Sequence, residues 1–392
     1  MKKFRLAAIF LILIFIIQTP FTFNCAAADT WGYVPTGESP EMNFDCKSAV
    51  LMDAKTGTVI YEKNKDEALP PASVTKIMTL LLVSEAIADG RIKLEDTVTT
   101  SAHAAGMGGS QVYLKEGEQM SVEDMLKSVI ISSANDAAVA LAEHISGSEA
   151  AFVSEMNKRA AALGMKNTVF ENTNGLDDTT ANHKTSAYDI ALMSKELIKH
   201  EFILKYSSTW MDTIRGGEFG LTNTNRLVRF YRGCTGLKTG STAKAGFCVS
   251  VTAERDNTSL ICVVMGAPSR DVRNSIATSL LDYGFSNYTT YTYGAGELSD
   301  IKVRCGELPT MSAKHSDFAL TVKKTDAKYI EPRISLPDSI SAPVSKGDKI
   351  GSVEFYLNGA KIGETDIISN IGISRLTVGD LFARIFKRAF CM

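Results

Sequence analysis

The chain has 392 residues, of which 45% are hydrophobic and 22% charged, so it is long enough to bury a sizeable core and to form two domains. Its formal net charge of −2 at pH 7 lacks the basic excess that nucleic-acid binding requires, and we expect no nucleic-acid partner. The seven cysteines and five histidines are not spaced like metal ligands, so we predict no metal and no cofactor.

Residues 1–28 have the parts of a secretory signal peptide: the basic start MKKFR, the apolar run LAAIFLILIFII and the small residues of NCAAADT. This segment holds three cations and no acid, so its removal would take the net charge to −2 − 3 = −5. An uncleaved membrane anchor is the alternative, because the apolar run approaches the length that spans a bilayer. In either case the rest of the chain is predicted to be exported.

The tripeptide Lys-Thr-Gly occurs at residues 55–57 and again at residues 238–240. The first copy lies within SAVLMDAKTGTVIYEK, whose alternating pattern on both sides predicts two antiparallel strands joined by a tight turn. Gly57 permits the positive φ that such a turn needs, and Lys55 would lie in solvent at its tip. We therefore predict that the first copy is a turn without a catalytic role.

Pro70 and Pro71 suit the entrance of a helix and Gly90 its end, and the segment between them is apolar almost all round, which predicts a buried helix. Further helical patterns follow in SVEDMLKSVI, DAAVALAEHISG, EAAFVSEMNKRAAALG and SAYDIALMSKELIKH. GFCVSVTAER and TSLICVVMGA then indicate two strands, with Cys248 and Cys262 as small core residues, and SRDVRNSIATSLLDYG a closing helix. Strands at both ends of a helical middle predict an α/β or α+β domain over residues 36–288.

Short alternating runs punctuated by Gly and Pro over residues 289–370 predict a small all-β domain. Residues 374–392 form an amphipathic helical pattern. One half of this helix contains Val378, Leu381, Phe382, Ile385, Phe386, Ala389 and Phe390, and the other contains Asp380, Arg384, Lys387 and Arg388. Basic residues opposite Phe and Ile favour the surface of an anionic membrane, and packing of the helix on its own protein is the alternative.

Ser73 and Lys76 lie at the start of the predicted buried helix, where residues i and i+3 share a face and the hydroxyl can meet the amine. Burial lowers the pKa of a lysine until it can act as a base toward a hydroxyl, and the helix N-terminus favours a developing oxyanion. Ser-x-x-Lys also occurs at 241–244 and 299–302, but neither of those copies lies in an apolar helix.

Ser133 and Asn135 lie at the start of the helix DAAVALAEHI. They could serve as its N-cap. Alternatively, both side chains face a cleft, where Ser133 relays a proton and Asn135 holds a substrate amide. The residues alone leave these two interpretations open.

The second Lys-Thr-Gly lies on the strand approach to FCVSVTA, among glycines that leave the backbone bare for a close neighbour. Lys238 would supply a cation and Thr239 a hydroxyl. The backbone N–H of Ser241, after Gly240, would form an oxyanion hole together with that of Ser73.

Taken in order, Ser-x-x-Lys, Ser-x-Asn and Lys-Thr-Gly resemble the motifs of the serine-type D-alanyl-D-alanine carboxypeptidases, the low-molecular-mass penicillin-binding proteins. The resemblance runs essentially end to end and includes PPASVTKIMT, FENTNGLD, GLKTGSTAKAGFC, VVMGAPSRDVR and APVSKGDKIGSVEFYLNGAKIGE. It implies an α+β, β-lactamase/transpeptidase-like domain with an antiparallel sheet flanked by helices and a helical subdomain. A small all-β domain and a C-terminal helix at the membrane surface would follow.

The resemblance also implies residue roles. Ser73 would attack the carbonyl between the two terminal D-alanines of a peptidoglycan stem peptide, with Lys76 as the base. Ser133 would relay the proton, and Asn135 and Lys238 would hold and polarise the substrate. β-Lactams would acylate the same serine, and the protein would act at the extracytoplasmic face of the membrane or in the cell wall.

Arg273 stands where the family places an arginine for the terminal carboxylate, with a surface arginine on a closing helix as the alternative. Ala134 and Ser241 depart from the Gly and His of many relatives.

A class A β-lactamase is an alternative function, and it would need a glutamate for deacylation. Glu171 lies in about the right region, but Asn174 follows at the wrong offset. A penicillin-binding sensor without turnover is a further alternative.

Overall fold

The structure is a computed structural model that describes residues 42–178 and 180–389, without the side chains of Lys387 and Arg388. The predicted signal peptide lies outside the described residues, as does Phe390 of the C-terminal helix.

Nine strands and nine α-helices make up the described part of the chain before Tyr288. The strands are β1 (Ser48–Asp53), β2 (Val59–Lys63), β3 (Thr97–Thr99), β4 (Gln119–Ser121), β5 (Met211–Ile214), β6 (Phe219–Thr222), β7 (Cys234–Thr242), β8 (Gly246–Arg255) and β9 (Thr258–Ala267). The helices are α1 (Lys76–Ala88), α2 (Ala102–Ala105), α3 (Val122–Ile131), α4 (Asn135–Ser146), α5 (Glu149–Ala162), α6 (Ala187–Leu197), α7 (Glu201–Ser207), α8 (Leu227–Phe230) and α9 (Arg270–Asn287).

The central sheet has the order β2-β1-β9-β8-β7, and every neighbouring pair is antiparallel. Val50 and Met52 of β1 face a core shared with α1, α3, α4 and α6, whereas Leu51 faces a second core shared with α9. Because helices cover both faces, the strands read as nearly continuous apolar runs. Cys248 and Cys262 are buried and free, one in each core. The predicted α+β class is confirmed.

The first Lys-Thr-Gly is the turn between β1 and β2, as predicted. Lys55 is exposed, Gly57 has φ = +79°, and the Asp53 carboxylate accepts the N–H groups of Lys55 and Thr56 at 2.8 and 3.0 Å. The turn also contacts the C-terminal β-structure, because the Thr56 hydroxyl lies 2.5 Å from that of Thr321. Its role in the structure is therefore to form a turn and a packing contact.

The C-terminal part of the described chain is built mainly from β10 (Tyr288–Tyr293), β11 (Gly296–Arg304), β12 (Thr310–His315), β13 (Phe318–Lys323), β14 (Ile330–Ser335), β15 (Ile340–Ser341), β16 (Lys349–Leu357) and β17 (Ala360–Ser369). A six-stranded sheet of order β14-β16-β17-β12-β11-β15 and the pair β10-β13 enclose a third core around Phe355 and Ile367.

Helix α10 (Val378–Ala389) follows, and Thr377 caps it through the N–H of Asp380 at 3.2 Å. Leu381, Phe382 and Ile385 are exposed, so these three apolar side chains of the helix lie largely in solvent. Among the described residues, no helix has the length and apolar character needed to cross a membrane.

Candidate active site

Ser73 lies in a short 3₁₀ turn, Ala72–Thr75, that leads into α1 at Lys76. The sequence predicted that both residues begin one α-helix, so the prediction was wrong about the form of this turn. The predicted contact is nevertheless present, with Lys76 Nζ 2.9 Å from Ser73 Oγ. Side chains at i and i+3 eclipse in a 3₁₀ turn, which is why the same spacing brings the two groups together.

The Lys76 amine is buried in a polar cage. Besides Ser73, its Nζ lies 2.5 Å from Oδ1 of Asn135 and 2.8 Å from the carbonyl oxygen of Asn174. Burial, and secondly the charge of Lys238, hold the pKa of Lys76 well below its usual value. A neutral amine has two N–H groups, which match these two acceptors, and the remaining lone pair can then accept the proton of Ser73.

Ser133 does not cap α4. The N-cap position is Ala134, which makes no side-chain cap, and Ser133 has φ = +63° just before it. A non-glycine residue in this region is strained, and such strain is concentrated at functional sites. The N-cap alternative for Ser133 is therefore wrong, and the residue lines the same cleft as Ser73.

Asn135 is the first residue of α4 and is buried. Its Oδ1 accepts from Lys76, and its Nδ2 donates to the carbonyl oxygen of Gly108 at 2.7 Å. It does not cap α4 through its side chain. Both described contacts go to the protein, so the structure assigns Asn135 to the positioning of Lys76, while contact with a substrate amide stays a prediction.

The second Lys-Thr-Gly lies in the middle of the edge strand β7, against the Ser73 turn. A Cβ added to Gly240 would lie 2.8 Å from the nitrogen of Ser73 and 2.9 Å from that of Val74. Only glycine therefore lets the strand approach this closely. Ser241 is exposed and lines the cleft directly after that contact.

Lys238 and Thr239 precede that glycine. Lys238 is buried, its Nζ donates to the Thr239 carbonyl at 2.9 Å, and burial together with the nearby Arg273 lowers its pKa to about 7. The Thr239 hydroxyl lies on the cleft wall and donates to that of Thr224 at 2.9 Å.

Arg273, on the first turn of α9, is buried and lines the cleft, so it is not the surface arginine that the alternative proposed. Its Nη1 donates to the Cys248 carbonyl at 3.3 Å, and its Nη2 donates to Asn274 Oδ1 at 2.9 Å. Burial, followed by the charge of Arg270, lowers its pKa to about 10. The guanidinium therefore stays charged at neutral pH.

The segment FENTNGLD packs against the turn that carries Ser73 and against α1. The sequence did not predict this contact. Besides the Asn174 carbonyl, the Thr173 carbonyl accepts the hydroxyl of Thr79 at 2.5 Å. A Cβ on Gly175 would lie 1.8 Å from the oxygen of Ala72, so this glycine packs directly on the serine turn. The Glu171 carboxylate accepts the N–H of Asn182 and is not among the described residues that line the cleft, unlike a β-lactamase base.

His183 stabilises the same turn through hydrogen bonds. Its Nδ1 accepts the N–H of Glu171 at 3.0 Å, so its Nε2 carries the proton and donates to the Thr75 hydroxyl at 2.7 Å. That hydroxyl donates in turn to the Ala72 carbonyl at 2.8 Å. Burial lowers the pKa of His183 to about 4, so the neutral ring required by this chain of bonds persists at neutral pH.

The site opens into a cleft of about 610 Å³. Its described lining consists of Ser73, Ser110, Ser133, Trp210, Thr222, Asn223, Thr224, Arg226, Phe230, Thr239, Gly240, Ser241, Arg270 and Arg273. Among the described residues, three arginines and no carboxylate line it, so the cleft favours an anionic ligand. A serine hydroxyl beside a buried lysine base, open to such a cleft, defines an active-serine enzyme that transfers acyl groups.

The sequence profile of the D-alanyl-D-alanine carboxypeptidases matches residues 35–269, and that of the C-terminal domain of penicillin-binding protein 5 matches residues 289–373. The chain belongs to the D-alanyl-D-alanine carboxypeptidase family.

Individual relatives agree with this assignment. The chain is 45% identical over 334 residues to D-alanyl-D-alanine carboxypeptidase DacF of Bacillus subtilis, an alignment that covers 83% of this chain and 85% of the relative. It is similar in structure to penicillin-binding protein 5 of Haemophilus influenzae, with a TM-score of 0.77, 32% identity and coverage of 86% of this chain and 100% of the other.

A second similar structure is penicillin-binding protein D2 of Listeria monocytogenes in its ampicillin-bound form. Its TM-score is 0.58 and its identity 31%, with coverage of 63% of this chain and 100% of the other. The activity of the chain is that of a serine-type D-alanyl-D-alanine carboxypeptidase, which acts on peptidoglycan and binds β-lactams.

Proposed function

We propose that the chain removes the terminal D-alanine from peptidoglycan stem pentapeptides, with Ser73 as nucleophile, Lys76 as general base and Ser133 as proton relay. The observation that carries this assignment is the 2.9 Å contact between Lys76 Nζ and Ser73 Oγ in a cleft that also contains a buried, charged Arg273. Burial lowers the pKa of Lys76 and so favours its neutral, basic form.

In acylation, Ser73 Oγ attacks the carbonyl carbon of the penultimate D-alanine and gives its proton to Lys76. The carbonyl oxygen becomes an oxyanion, which the N–H groups of Ser73 and Ser241 would stabilise. Gly240 supports this pairing, because its close approach brings the two backbone segments together. Pre-positioned donors of this kind contribute about 3–4 kcal/mol each in serine hydrolases.

The amide C–N bond then breaks, and the leaving nitrogen takes the proton from Lys76 through the Ser133 hydroxyl. In the second half-reaction, water attacks the ester carbonyl and gives a proton to Lys76. The C–O bond to Ser73 then breaks, and Lys76 returns the proton to Ser73 Oγ, which restores the hydroxyl. Asn135 and the Asn174 carbonyl keep the Lys76 amine in place during both steps. A β-lactam would acylate Ser73 by the same attack, with opening of its ring.

Arg273 tests this function most directly, because a carboxypeptidase must recognise the free C-terminus. Arg273→Ala should weaken hydrolysis of a free-carboxylate pentapeptide by about 2–4 kcal/mol in kcat/KM, since a charge-assisted contact is lost. A pentapeptide amidated at that end should react slowly and should be almost insensitive to the change. D-alanine release is measured for both peptides, beside benzylpenicillin hydrolysis by the wild type.

Parallel losses for the two peptides would contradict the carboxylate role. Rapid turnover of benzylpenicillin without D-alanine release would favour the β-lactamase alternative.

Export and membrane attachment also belong to this proposal, with residues 1–28 as signal peptide, 36–288 as catalytic domain, 289–370 as a small β-rich domain and 374–392 as a membrane-surface helix. Three exposed apolar side chains of α10, Leu381, Phe382 and Ile385, support the last assignment. They would enter the interface of an anionic bilayer and place the enzyme at the extracytoplasmic face.

Truncation after Leu376 removes α10 but keeps Ile373, which is buried in the third core and paired with Val344. It should release the mature protein from anionic vesicles and leave its activity on a soluble pentapeptide unchanged. The full-length mature protein should sediment with the vesicles, and less so at high salt, because each basic residue near the surface contributes about 1 kcal/mol that ions screen. Replacing Phe382 and Ile385 together by serine should weaken sedimentation at every salt concentration. If truncation instead lowers soluble activity or unfolds the protein, the helix packs on the protein and the attachment is wrong.

A further inference from the structure

The cleft continues past the position of the leaving amino acid. In the proposed reaction Ser133 protonates the leaving nitrogen, so the leaving residue lies between Ser133 and Thr239. Thr224 is fixed at this place, because its N–H donates to the Ile131 carbonyl at 3.0 Å and its hydroxyl accepts from Thr239 at 2.9 Å. Arg226, Trp210 and Phe230 line the same cleft as Thr224, and Trp210 is hydrogen-bonded to Asn223, the residue before Thr224. Because these residues adjoin Thr224, we place them on the leaving-group side.

Trp210 and Phe230 form an aromatic wall. Their rings meet edge to face with centroids 6.4 Å apart, and Phe230 is 72% exposed. The Arg229 guanidinium lies 5.4 Å from the Trp210 ring centroid, and the N–H of Asn223 donates to the Trp210 carbonyl at 2.8 Å. The wall is thus held in place before any ligand binds. An exposed aromatic surface inside a cleft is typical of a binding site.

Arg226 adds a cation to this wall. Its side chain is exposed, and within residues 42–178 and 180–389 the guanidinium makes no hydrogen bond or ion pair. In the proposed function Arg273 is occupied by the terminal carboxylate. Arg226 therefore remains available to a second carboxylate or to a carbonyl oxygen.

D-alanine is too small a leaving group for this wall. Its methyl group cannot cover two aromatic rings whose centroids are 6.4 Å apart, and its only carboxylate is the terminal one. A longer side chain would place its methylene groups on the rings and its polar end at the guanidinium.

We propose that Trp210, Phe230 and Arg226 form a leaving-group subsite for a D-amino acid with a long side chain that ends in a carboxylate or carbonyl oxygen. This inference rests on the proposed function. The reaction is unchanged: the C–N bond breaks, the leaving amine takes the proton through Ser133, and water hydrolyses the Ser73 ester. Such a leaving group has two sources, a terminal D-residue other than alanine or the side-chain amine of a second, cross-linked stem peptide.

Synthetic stem peptides ending in D-Ala-D-Ala, in D-Ala-D-2-aminoadipate and in the side-chain N-methylamide of the latter test the subsite with the mature protein. We expect kcat/KM for the aminoadipate peptide to equal or exceed that for D-Ala-D-Ala. Arg226→Gln should lower kcat/KM about tenfold for the aminoadipate peptide, less for the amide, and no more than twofold for D-Ala-D-Ala. Phe230→Ser should lower kcat/KM for both long side chains. Lys244→Gln is the matched control, because it removes an exposed cation outside the described cleft lining and should change none of these values.

A cross-linked stem-peptide dimer distinguishes the two sources. Cleavage of its cross-link, slowed by Phe230→Ser, identifies the second stem peptide as the leaving group. An intact dimer with rapid aminoadipate release identifies a terminal D-residue. The subsite is refuted if D-alanine is released at least tenfold faster than aminoadipate, or if Arg226→Gln affects all three synthetic peptides equally. If no D-alanine is released at all, the proposed function itself fails.

Discussion

Replacing Ser73 by alanine should abolish both D-alanine release and covalent labelling by penicillin. Among the described residues, Ser73 is the serine of the cleft whose hydroxyl lies within hydrogen-bond distance of the Lys76 amine, at 2.9 Å, so the proposed reaction forms the acyl-enzyme there. Loss of a serine nucleophile lowers kcat by on the order of 10⁴-fold or more, because the acyl-enzyme can no longer form and the remaining groups have no acyl transfer to stabilise. Intact-mass measurement after incubation with benzylpenicillin would detect the added mass.

The two other serines in Ser-x-x-Lys patterns provide matched controls. Ser299 lies in β11 of the C-terminal β-structure, and Ser241 is exposed on β7, where the proposed reaction uses only its backbone N–H. Ser299→Ala and Ser241→Ala should both retain penicillin labelling. Labelling that persists in Ser73→Ala, or disappears in Ser299→Ala, would contradict the assignment of the nucleophile.

Local sequence patterns predicted the parts of the fold that depend on near neighbours. Alternation around residues 48–63 indicated the first hairpin, and the two apolar runs GFCVSVTAER and TSLICVVMGA indicated β8 and β9, which are joined by a turn at Asp256 and Asn257. The Ser73–Lys76 contact was also predictable, because an i, i+3 spacing brings the two side chains together in either an α-helix or a 3₁₀ turn. For the same reason, spacing alone could not distinguish the two forms.

The supporting groups of the site could not be predicted in this way. The Asn174 carbonyl is 98 residues from Lys76 in the chain, and His183 is 108 residues from Thr75. Their contacts depend on how the segment FENTNGLD packs under α1, and this packing has no local periodicity. At Ser133 the local pattern instead offered an interpretation that the structure contradicts. The residue type is typical of an N-cap, but the tertiary structure holds Ser133 at φ = +63°.

The two Lys-Thr-Gly copies allow a direct comparison of a lysine that is proposed to act on the substrate with a lysine in a turn. Lys238→Ala should lower kcat/KM by on the order of 10²–10³-fold, because it removes a buried charge beside the reacting centre. Lys55→Ala removes an exposed side chain at a turn and should change the free energy of unfolding by less than about 0.5 kcal/mol, with near wild-type rates. Equal losses in the two variants would mean that the second copy has no special role.

The pH dependence separates a loss of charge from a loss of packing at Lys238. Burial and Arg273 lower its pKa to about 7, so the group is charged below that pH and becomes neutral above it. The ratio of wild-type to Lys238→Ala kcat/KM should therefore be largest near pH 6 and should shrink as the pH rises toward 9. Removal of Lys238 also raises the pKa of Lys76, because the charge of Lys238 is the second cause that lowers it. The base of the variant therefore stays protonated to a higher pH, and this effect of the lost charge is likewise largest at low pH and adds to the same trend in the ratio. A ratio that is constant from pH 6 to pH 9, with both proteins shown to be folded by circular dichroism, would assign the effect of Lys238 to packing rather than to its charge.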